Sequence, residues 1–437
     1  MCGINGFTFE DKDLIVKMND ANKHRGPDAS NFWLSEGVSL GQNRLSIIDI
    51  SNASSQPMQS KDGRYEIVYN GELYNFQDIK KELNDVNFTS TGDTEVVIEA
   101  YAKWGKNCLQ KFNGMFALAI WDKQEQSLFL ARDHAGIKPL YYSVKDGDLI
   151  FSSEIKSILT WSKVTRKLSV SSLNHYLRLL FVPEPFTMFQ DVFKLPQGSY
   201  AFFKNGKLDI QTYFVNNPNL TKAGAAEIVE NINTKVSEAV ERQLVSDRPV
   251  GVYLSGGIDS SVILDCMSRK HKNIKTFSVG FTLSDGEDAG KYNKDLDLAR
   301  ETAKRYNTDH HEISISSKDV MESLEKVIYH MDEPISNATA CALFALSKET
   351  KKYVTVVLCG DGGDELFGGY DRYRLSYIAS MYQILPSPVT NLLAKVNARF
   401  AKISKREWID RYTQFLFQKT DMFEKVIKPQ YFDDKVT

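Results

Sequence analysis

The chain has 437 residues and is 42% hydrophobic, 25% charged and 11% aromatic, the make-up of a folded globular protein too long for one core, which excludes disordered and fibrous classes. A formal net charge of −2, with Lys and Arg scattered among acids, leaves no electrostatic footprint for nucleic acid, so no nucleic-acid partner is expected. The longest apolar runs, such as Met115–Trp121 and Val354–Cys359, fall far short of the roughly 20 residues of a membrane helix, so no membrane partner is expected either.

At the start, Cys2-Gly3-Ile4-Asn5-Gly6-Phe7 leads straight to Glu10-Asp11; without a charged and then apolar leader, a cytoplasmic location is expected. From Met1 to about Tyr213, Val38–Ile48, Tyr65–Tyr69, Met115–Trp121, Ser127–Ala131, Leu140–Ser143 and Leu149–Ser152 read as strands. Leu14–Lys23, Phe76–Leu83 and Thr94–Lys103 read as amphipathic helices lying on those sheets. This half, residues 1–213, is expected to be a layered α+β domain. The polar segment Val215-Asn216-Asn217-Pro218-Asn219 marks a linker over 214–224.

The second half, 225–437, opens on a helix at Ala225–Val245 and then alternates. Strands Val250–Leu254, Thr276–Gly280, His310–Ile315 and Tyr353–Leu358 are separated by helices Ser260–Arg269, Leu296–Tyr306 and Val320–His330. Such a series predicts an α/β parallel sheet covered by helices, with ligands at the carboxyl ends of the strands. Cys2, Cys108, Cys266, Cys341 and Cys359 are widely spaced with no C-x-x-C pair, which suggests neither a disulfide framework nor a zinc site.

Cys2 becomes the first residue if the initiator Met is removed. Thiol and α-amine then share one residue, and an amine with a reference pKa of about 7.7–8.0 can serve as base for the thiol. Alone, an early cysteine is ordinarily a small buried apolar residue. Its company argues otherwise: His24-Arg25-Gly26-Pro27-Asp28, Asn43-Arg44-Leu45-Ser46-Ile47-Ile48-Asp49, Asn70-Gly71-Glu72-Leu73-Tyr74-Asn75 and Gly92-Asp93-Thr94-Glu95. With Met-Cys-Gly in front, these segments closely resemble, in order, the class II glutamine amidotransferase domain of glutamine-hydrolysing asparagine synthetases. The resemblance implies an αββα N-terminal nucleophile hydrolase sandwich in which Cys2 forms a thioester with glutamine. Asn70 and the Gly71 backbone N–H are implied as the oxyanion hole, Arg44 as partner of the α-carboxylate, and Asp93 as holder of the α-ammonium with help from Glu72. His24 is implied to shape a loop. Ala131–Tyr142 and Ser153-Glu154-Ile155-Lys156 also match the family and read as scaffold and interface.

In the second half, Leu254-Ser255-Gly256-Gly257-Ile258-Asp259-Ser260-Ser261 follows a strand and opens a helix. Glycines let backbone N–H groups approach an anion, hydroxyls add donors and the helix N-terminus supplies a favourable dipole. It fits neither the Walker pattern nor G-x-G-x-x-G. It resembles the pyrophosphate loop of enzymes that cut ATP between the α and β phosphates, so ATP and Mg2+ are the implied cofactors. Asp259 and Asp364 are the expected metal ligands, hard oxygen donors suited to Mg2+. Leu254, Val279, Cys359 and Gly360 are implied around the nucleotide. Asp361 stands where the family commonly carries Glu, as a candidate acid or base for the attacking ammonia, and Cys359 where Ser is frequent. Asp332-Glu333-Pro334 resembles the segment bordering the acyl-adenylate pocket.

Together the halves imply hydrolysis of glutamine to ammonia, channelled to an adenylated carboxylate with release of AMP and pyrophosphate. The partners expected are glutamine and aspartate or another small carboxylate; a homodimer is compatible with the sequence. Amidation of a uronic-acid sugar or a peptide remains open, as does a glutaminase without synthetase activity. The family resembled continues past the equivalent of Thr437 with a helical segment that closes the synthetase site, and the 437 residues are expected to lack it. The Lys-rich stretch Arg372–Thr437 is expected to be helical.

Overall fold

The computed structural model describes residues 1–218, 221–283, 290, 293–334, 336–337, 339–371, 373–374, 377 and 388–389. The expected helical stretch Arg372–Thr437 lies almost wholly outside these residues. No helix among the described residues is long and apolar enough to cross a membrane.

Two six-stranded sheets occupy the first half. In the first, the spatial order is Phe193–Lys194, Tyr141–Lys145, Asp148–Ser152, Gly3–Phe7, Val38–Arg44 and Ala29–Ser35. The second runs Lys207–Thr212, Ser199–Lys204, Ser127–Arg132, Gly114–Asp122, Tyr65–Leu73 and Met58–Gln59. All pairings in both are antiparallel.

The alternation of side chains along these strands builds three cores. Ile67, Tyr69, Leu118 and Ile120 point from the second sheet into a core shared with Ile79, Val96 and Tyr101 of helices Phe76–Glu82 and Asp93–Trp104. Their neighbours Val68, Ala117, Ala119 and Trp121 point the other way and meet Ile4, Leu40, Leu149 and Phe151 of the first sheet. Ile150, one residue from each of the last two, turns outward to Ile15 and Met18 of helix Lys12–Ala21 and to Ile155 and Ile158. Period-two patterning on both sheets thus yields helix, sheet, sheet, helix, the αββα sandwich that the resemblance implies. Each large side chain buried in it, such as Phe116, Phe129 or Phe151, contributes about 1.5–3 kcal/mol.

The second half holds a four-stranded parallel sheet in the order Asp309–Ile315, Lys275–Phe281, Val250–Tyr253, Val356–Leu358. One face packs Val252 and Leu254 against Leu264, Met267, Ala299 and Ala303 from helices Ile258–Ser268 and Lys294–Tyr306, and Val240 from helix Ala225–Gln243. The other packs Phe277 against Leu346 of helix Ala340–Thr350 and Val354. This is the α/β arrangement expected from the repeated pattern.

Two strands are shorter than expected. Val38–Ile48 ends at Arg44, because Leu45–Asp49 leaves the sheet as a loop whose Asp49 has φ 52°. Tyr353–Leu358 shrinks to Val356–Leu358, since Tyr353 and Val354 N–H both donate to the Thr350 carbonyl (3.0 and 3.1 Å) and close the preceding helix.

The halves meet through buried ion pairs. Asp332 accepts from the Ile155 N–H (2.7 Å) and pairs with Lys156 (2.8 Å). Glu333 accepts from the Met188 N–H (2.7 Å) and pairs with Lys194 (2.9 Å). Both acids of Asp332-Glu333-Pro334 are therefore directed at the first half.

Candidate functional site

Strand Gly3–Phe7 lies inside the first sheet, between Val38–Arg44 and Asp148–Ser152, and this central position fixes the residue just before it. Cys2 Sγ accepts from the Leu45 N–H at 3.4 Å and lies 3.6 Å from the Leu45 carbonyl. Arg25 Nε donates to the Cys2 carbonyl at 2.9 Å. Burial pushes the thiol pKa up, while the nearby N-terminal ammonium and the Leu45 contact pull it down. Burial also lowers the N-terminal amine, here that of Met1, to about 5. Burial of this kind favours the free-base form of an amine, the form that can accept a thiol proton.

A cavity at Cys2 is walled by Arg44, Leu45–Ile48, Ser54, Gln56, Tyr69, Gly71, Glu72, Asp93 and Thr94. The strand Tyr65–Leu73 carries three of the expected site residues at its end. Gly71 faces Phe116 across the ladder, and a Cβ there would sit 2.6 Å from the Met115 carbonyl and 2.7 Å from Phe116 Cβ. Asn70 is 1% exposed, and its Nδ2 has no hydrogen-bond partner among the described residues. A buried amide donor left unpaired is costly and marks a place where a ligand acceptor belongs. Asn70 does not itself line the cavity wall as Gly71 does.

Charge completes the pocket. Arg44 is held by the Ser51 carbonyl (2.7 Å) and the Asp49 carbonyl, with the guanidinium buried at the cavity wall. Asp93, at the start of its helix, accepts from Leu73 N–H (2.8 Å) and Tyr69 hydroxyl (3.1 Å). Burial raises the pKa of Asp93, and burial together with the Asp93 charge raises that of Glu72 well above the usual range. Two buried carboxylates that repel each other attract a cation, such as an α-ammonium. The loop Gly26–Asp28 braces this corner: a Cβ on Gly26 would fall 2.2 Å from the Asn43 carbonyl, and Asp28 accepts from the Ser46 N–H at 2.8 Å. His24 donates no group to the cavity; it meets Glu154 at 2.9 Å and packs its ring on His330 at 4.5 Å.

The loop after Val250–Tyr253 has the form an anion site requires. Gly256 has φ 74°, and a Cβ would lie 2.6 Å from Leu298 Cβ and 2.7 Å from the Asp295 carbonyl. Gly257 is the N-cap of Ile258–Ser268 without a side-chain cap, which leaves first-turn N–H groups as donors. Ser255, Ser260 and Ser261 hydroxyls cluster there: Ser255 Oγ to Ser260 Oγ is 3.1 Å, and Ser261 donates to the Gly257 carbonyl at 2.8 Å. Leu254 and Val279 stand on adjacent strands near their carboxyl ends, with Leu254 N–H bonded to the Phe277 carbonyl at 2.9 Å.

Cys359, Gly360 and Asp361 follow the neighbouring strand Val356–Leu358, and the Asp361 carboxyl touches the Cys359 thiol. Cβ atoms on Gly360 and Gly363 would lie 2.7 Å from Asp259 Cβ and 2.6 Å from its carboxylate. Asp259 is thereby set against the residue that precedes Asp364. Among the described residues no three His, Cys, Asp or Glu side chains gather as a metal cage. Two carboxylates beside a phosphate cradle fit Mg2+, which takes one or two protein carboxylates and completes its shell with phosphate and water.

Two features escaped the sequence reading. Lys138, grouped with scaffold, is buried, and its charge is felt by Cys2 and Glu72; burial lowers its own pKa. The loop Leu45–Ile48, read as strand, is the cavity wall. No local signal finds Lys138, whereas the Asn43–Asp49 segment was already singled out for Arg44.

A family model described as a glutamine amidotransferase domain matches residues 1–214, and one described as asparagine synthase matches residues 231–429. Asparagine synthetase [glutamine-hydrolyzing] 1 of Bacillus subtilis (strain 168) is 36% identical over 409 residues, covering 91% of this chain and 63% of that protein. Putative asparagine synthetase [glutamine-hydrolyzing] 2 of Methanocaldococcus jannaschii is 34% identical over 420 residues, covering 88% of this chain and 79% of that protein. Amidase chry2 of Gibberella zeae is 30% identical over 429 residues, covering 90% of this chain and 62% of that protein. The chain thus spans less than two thirds of the length of some of these relatives. By its two matched domains and these identities, it belongs to the glutamine-hydrolysing asparagine synthetase family.

Proposed function

We propose that the chain is a glutamine-dependent amidotransferase that makes ammonia at Cys2 and adds it to an ATP-adenylated carboxylate, with aspartate as the favoured acid and asparagine as product. The observation that carries the reading is the pocket that gathers the Cys2 thiol, Arg44, Gly71 and the carboxyl groups of Glu72 and Asp93, with the buried Asn70 amide one residue before Gly71. The working division is 1–213 for glutamine hydrolysis and 225–437 for synthesis, joined by 214–224.

With Met1 removed, the α-amine of Cys2 takes the thiol proton and the thiolate attacks the side-chain carbonyl carbon of glutamine. Asn70 Nδ2 and the Gly71 N–H receive the developing oxyanion. Donors of this kind are worth about 2.7–4 kcal/mol each to the transition state. Ammonia leaves with the proton, and water then cleaves the thioester to glutamate. Arg44 grips the α-carboxylate, and Asp93 with Glu72 the α-ammonium.

In the second half, Ser255, Gly256, Gly257, Ser260 and Ser261 hold the pyrophosphate of ATP while the acid's carboxylate displaces it at the α-phosphorus. Leu254, Val279, Cys359 and Gly360 bound the rest of the nucleotide. Mg2+, held by Asp259 and Asp364, would neutralise charge on the leaving pyrophosphate. Ammonia then attacks the acyl carbon and AMP departs, with Asp361 placed to take the surplus proton.

Similarity to a protein named an amidase favours a second reading, in which the same half-reactions serve another carboxylate. Pyrophosphate release measured across a panel of acids, with ammonia as nitrogen source, separates the two. Release with aspartate supports the first reading; release only with a uronic acid or a peptide carboxylate sinks it. In parallel, Cys2→Ala is expected to abolish glutamine-dependent turnover and keep ammonia-dependent turnover.

A further inference from the structure

The wall of the glutamine cavity is partly held from outside its own half. Loop Leu45–Ile48 leaves the first sheet at Arg44, and three backbone groups at Ser46, Ile47 and Asp49 find partners in the strap Ser246–Pro249. Asp247 N–H donates to the Ile47 carbonyl at 2.9 Å, and Arg248 Nε donates to the Ser46 carbonyl at 3.1 Å. The Asp49 N–H donates to Asp247 Oδ2 at 2.7 Å. Asp49 sits at φ 52°, a conformation an L side chain keeps only where its surroundings impose it. Its carbonyl in turn orients Arg44.

The strap is itself stiff and short. Ser246 Oγ accepts from the Arg248 N–H and donates to its carbonyl, both at 3.0 Å. The Pro249 carbonyl receives the Thr355 N–H at 3.2 Å, which ties the strap to the parallel sheet. Strand Val250–Tyr253 starts at the next residue and delivers the Ser255–Ser261 loop.

We propose that Asp247 and Arg248 are positioning residues for glutamine: from the nucleotide half they hold the loop that shapes the glutamine pocket and orients Arg44, so that glutamine affinity is set by both halves. The inference rests on the glutaminase reading of Cys2 and needs nothing of the synthetase reading. One short segment is thereby common to the glutamine wall and the nucleotide loop.

The test is steady-state glutamine hydrolysis by the full chain without ATP. Asp247→Ala is expected to raise KM for glutamine roughly tenfold, the loss of one charge-assisted hydrogen bond, with kcat unchanged within about twofold. Asp247→Asn keeps an oxygen for the Asp49 N–H and is expected to restore KM. Arg248→Ala should raise KM in the same sense, leaving the melting temperature within a few degrees of the parent. An unchanged KM in Asp247→Ala overturns the proposal. So does an equal fall of kcat in the Ala and Asn variants, the pattern of a merely structural role. If the parent chain hydrolyses no glutamine at all, the reading of Cys2 fails first and this proposal with it.

Discussion

The two sites are built by opposite means. Arg44, Asn70 and Asp93 are 6%, 1% and 6% exposed, and Arg44 and Asp93 are held by backbone partners. Around the candidate nucleotide loops, Ile258 and Leu366 are each 81% exposed, and the candidate groups are backbone donors and hydroxyls on glycine-rich turns. The candidate glutamine site is preorganised, with its donor and its two carboxyl groups already in place, whereas the candidate nucleotide loops are open to solvent. Loss of the Asn70 donor should therefore appear in the rate of glutamine chemistry at fixed structure, and crowding of the nucleotide loop in ATP binding.

The largest effect expected from this contrast is at Asn70. Asn70→Ala removes a donor without a partner among the described residues, so stability should hardly fall while kcat for glutamine hydrolysis drops about 10²–10³-fold. Thermal melting beside steady-state kinetics checks it; a large loss of melting temperature with an unchanged rate would assign Asn70 to packing alone. A smaller effect is expected at Gly360. A Cβ there lies 2.7 Å from Asp259 Cβ and 2.9 Å from the Ser260 N–H, so Gly360→Ala must push the pyrophosphate loop aside. Overpacking of about 1–3 kcal/mol should weaken ATP binding roughly tenfold, read by calorimetry, with glutamine hydrolysis within about twofold of the parent. Equal losses at both sites would contradict their separate construction.

Legibility in the sequence followed the same division. Cys2, Arg44, Asn70, Gly71, Glu72 and Asp93 could be nominated because each sits in a compact segment that resembles the family, and the cavity gathers all of them but Asn70 at its wall. Layered sheets were legible in the strand-like runs Tyr65–Tyr69 and Met115–Trp121, and the αββα order came from the family resemblance. Leu45–Asp49 was not, because Leu45 and Ile47 continue the apolar alternation past the point where the chain leaves the sheet. Lys138 was missed because its proximity to Cys2 spans 136 positions of chain with no periodic signal. For the same reason nothing in Asp332-Glu333 announced that both carboxylates pair across to Lys156 and Lys194.

The mildest prediction concerns pH and sharpens what preorganisation means at Asp93. Burial raises its pKa, and hydrogen bonds from Leu73 N–H and Tyr69 only partly offset that rise. A carboxyl in this state binds a proton more readily than the ordinary aspartate with pKa near about 3.9. Below its raised pKa it is neutral and no longer attracts the α-ammonium of glutamine; above it the charge is present and binding is at full strength. Glutamine affinity should thus decline with acidification well before an ordinary carboxylate titrates, several-fold as the pH passes below the raised pKa. Calorimetry on Cys2→Ala isolates this binding from the protonation of thiol and amine, which would distort any rate profile. Asp93→Asn should bind weakly at every pH and lose the dependence. A Cys2→Ala affinity that stays flat down to the ordinary aspartate range would show that glutamine reaches the pocket without calling on Asp93, and would move the ammonium to Glu72.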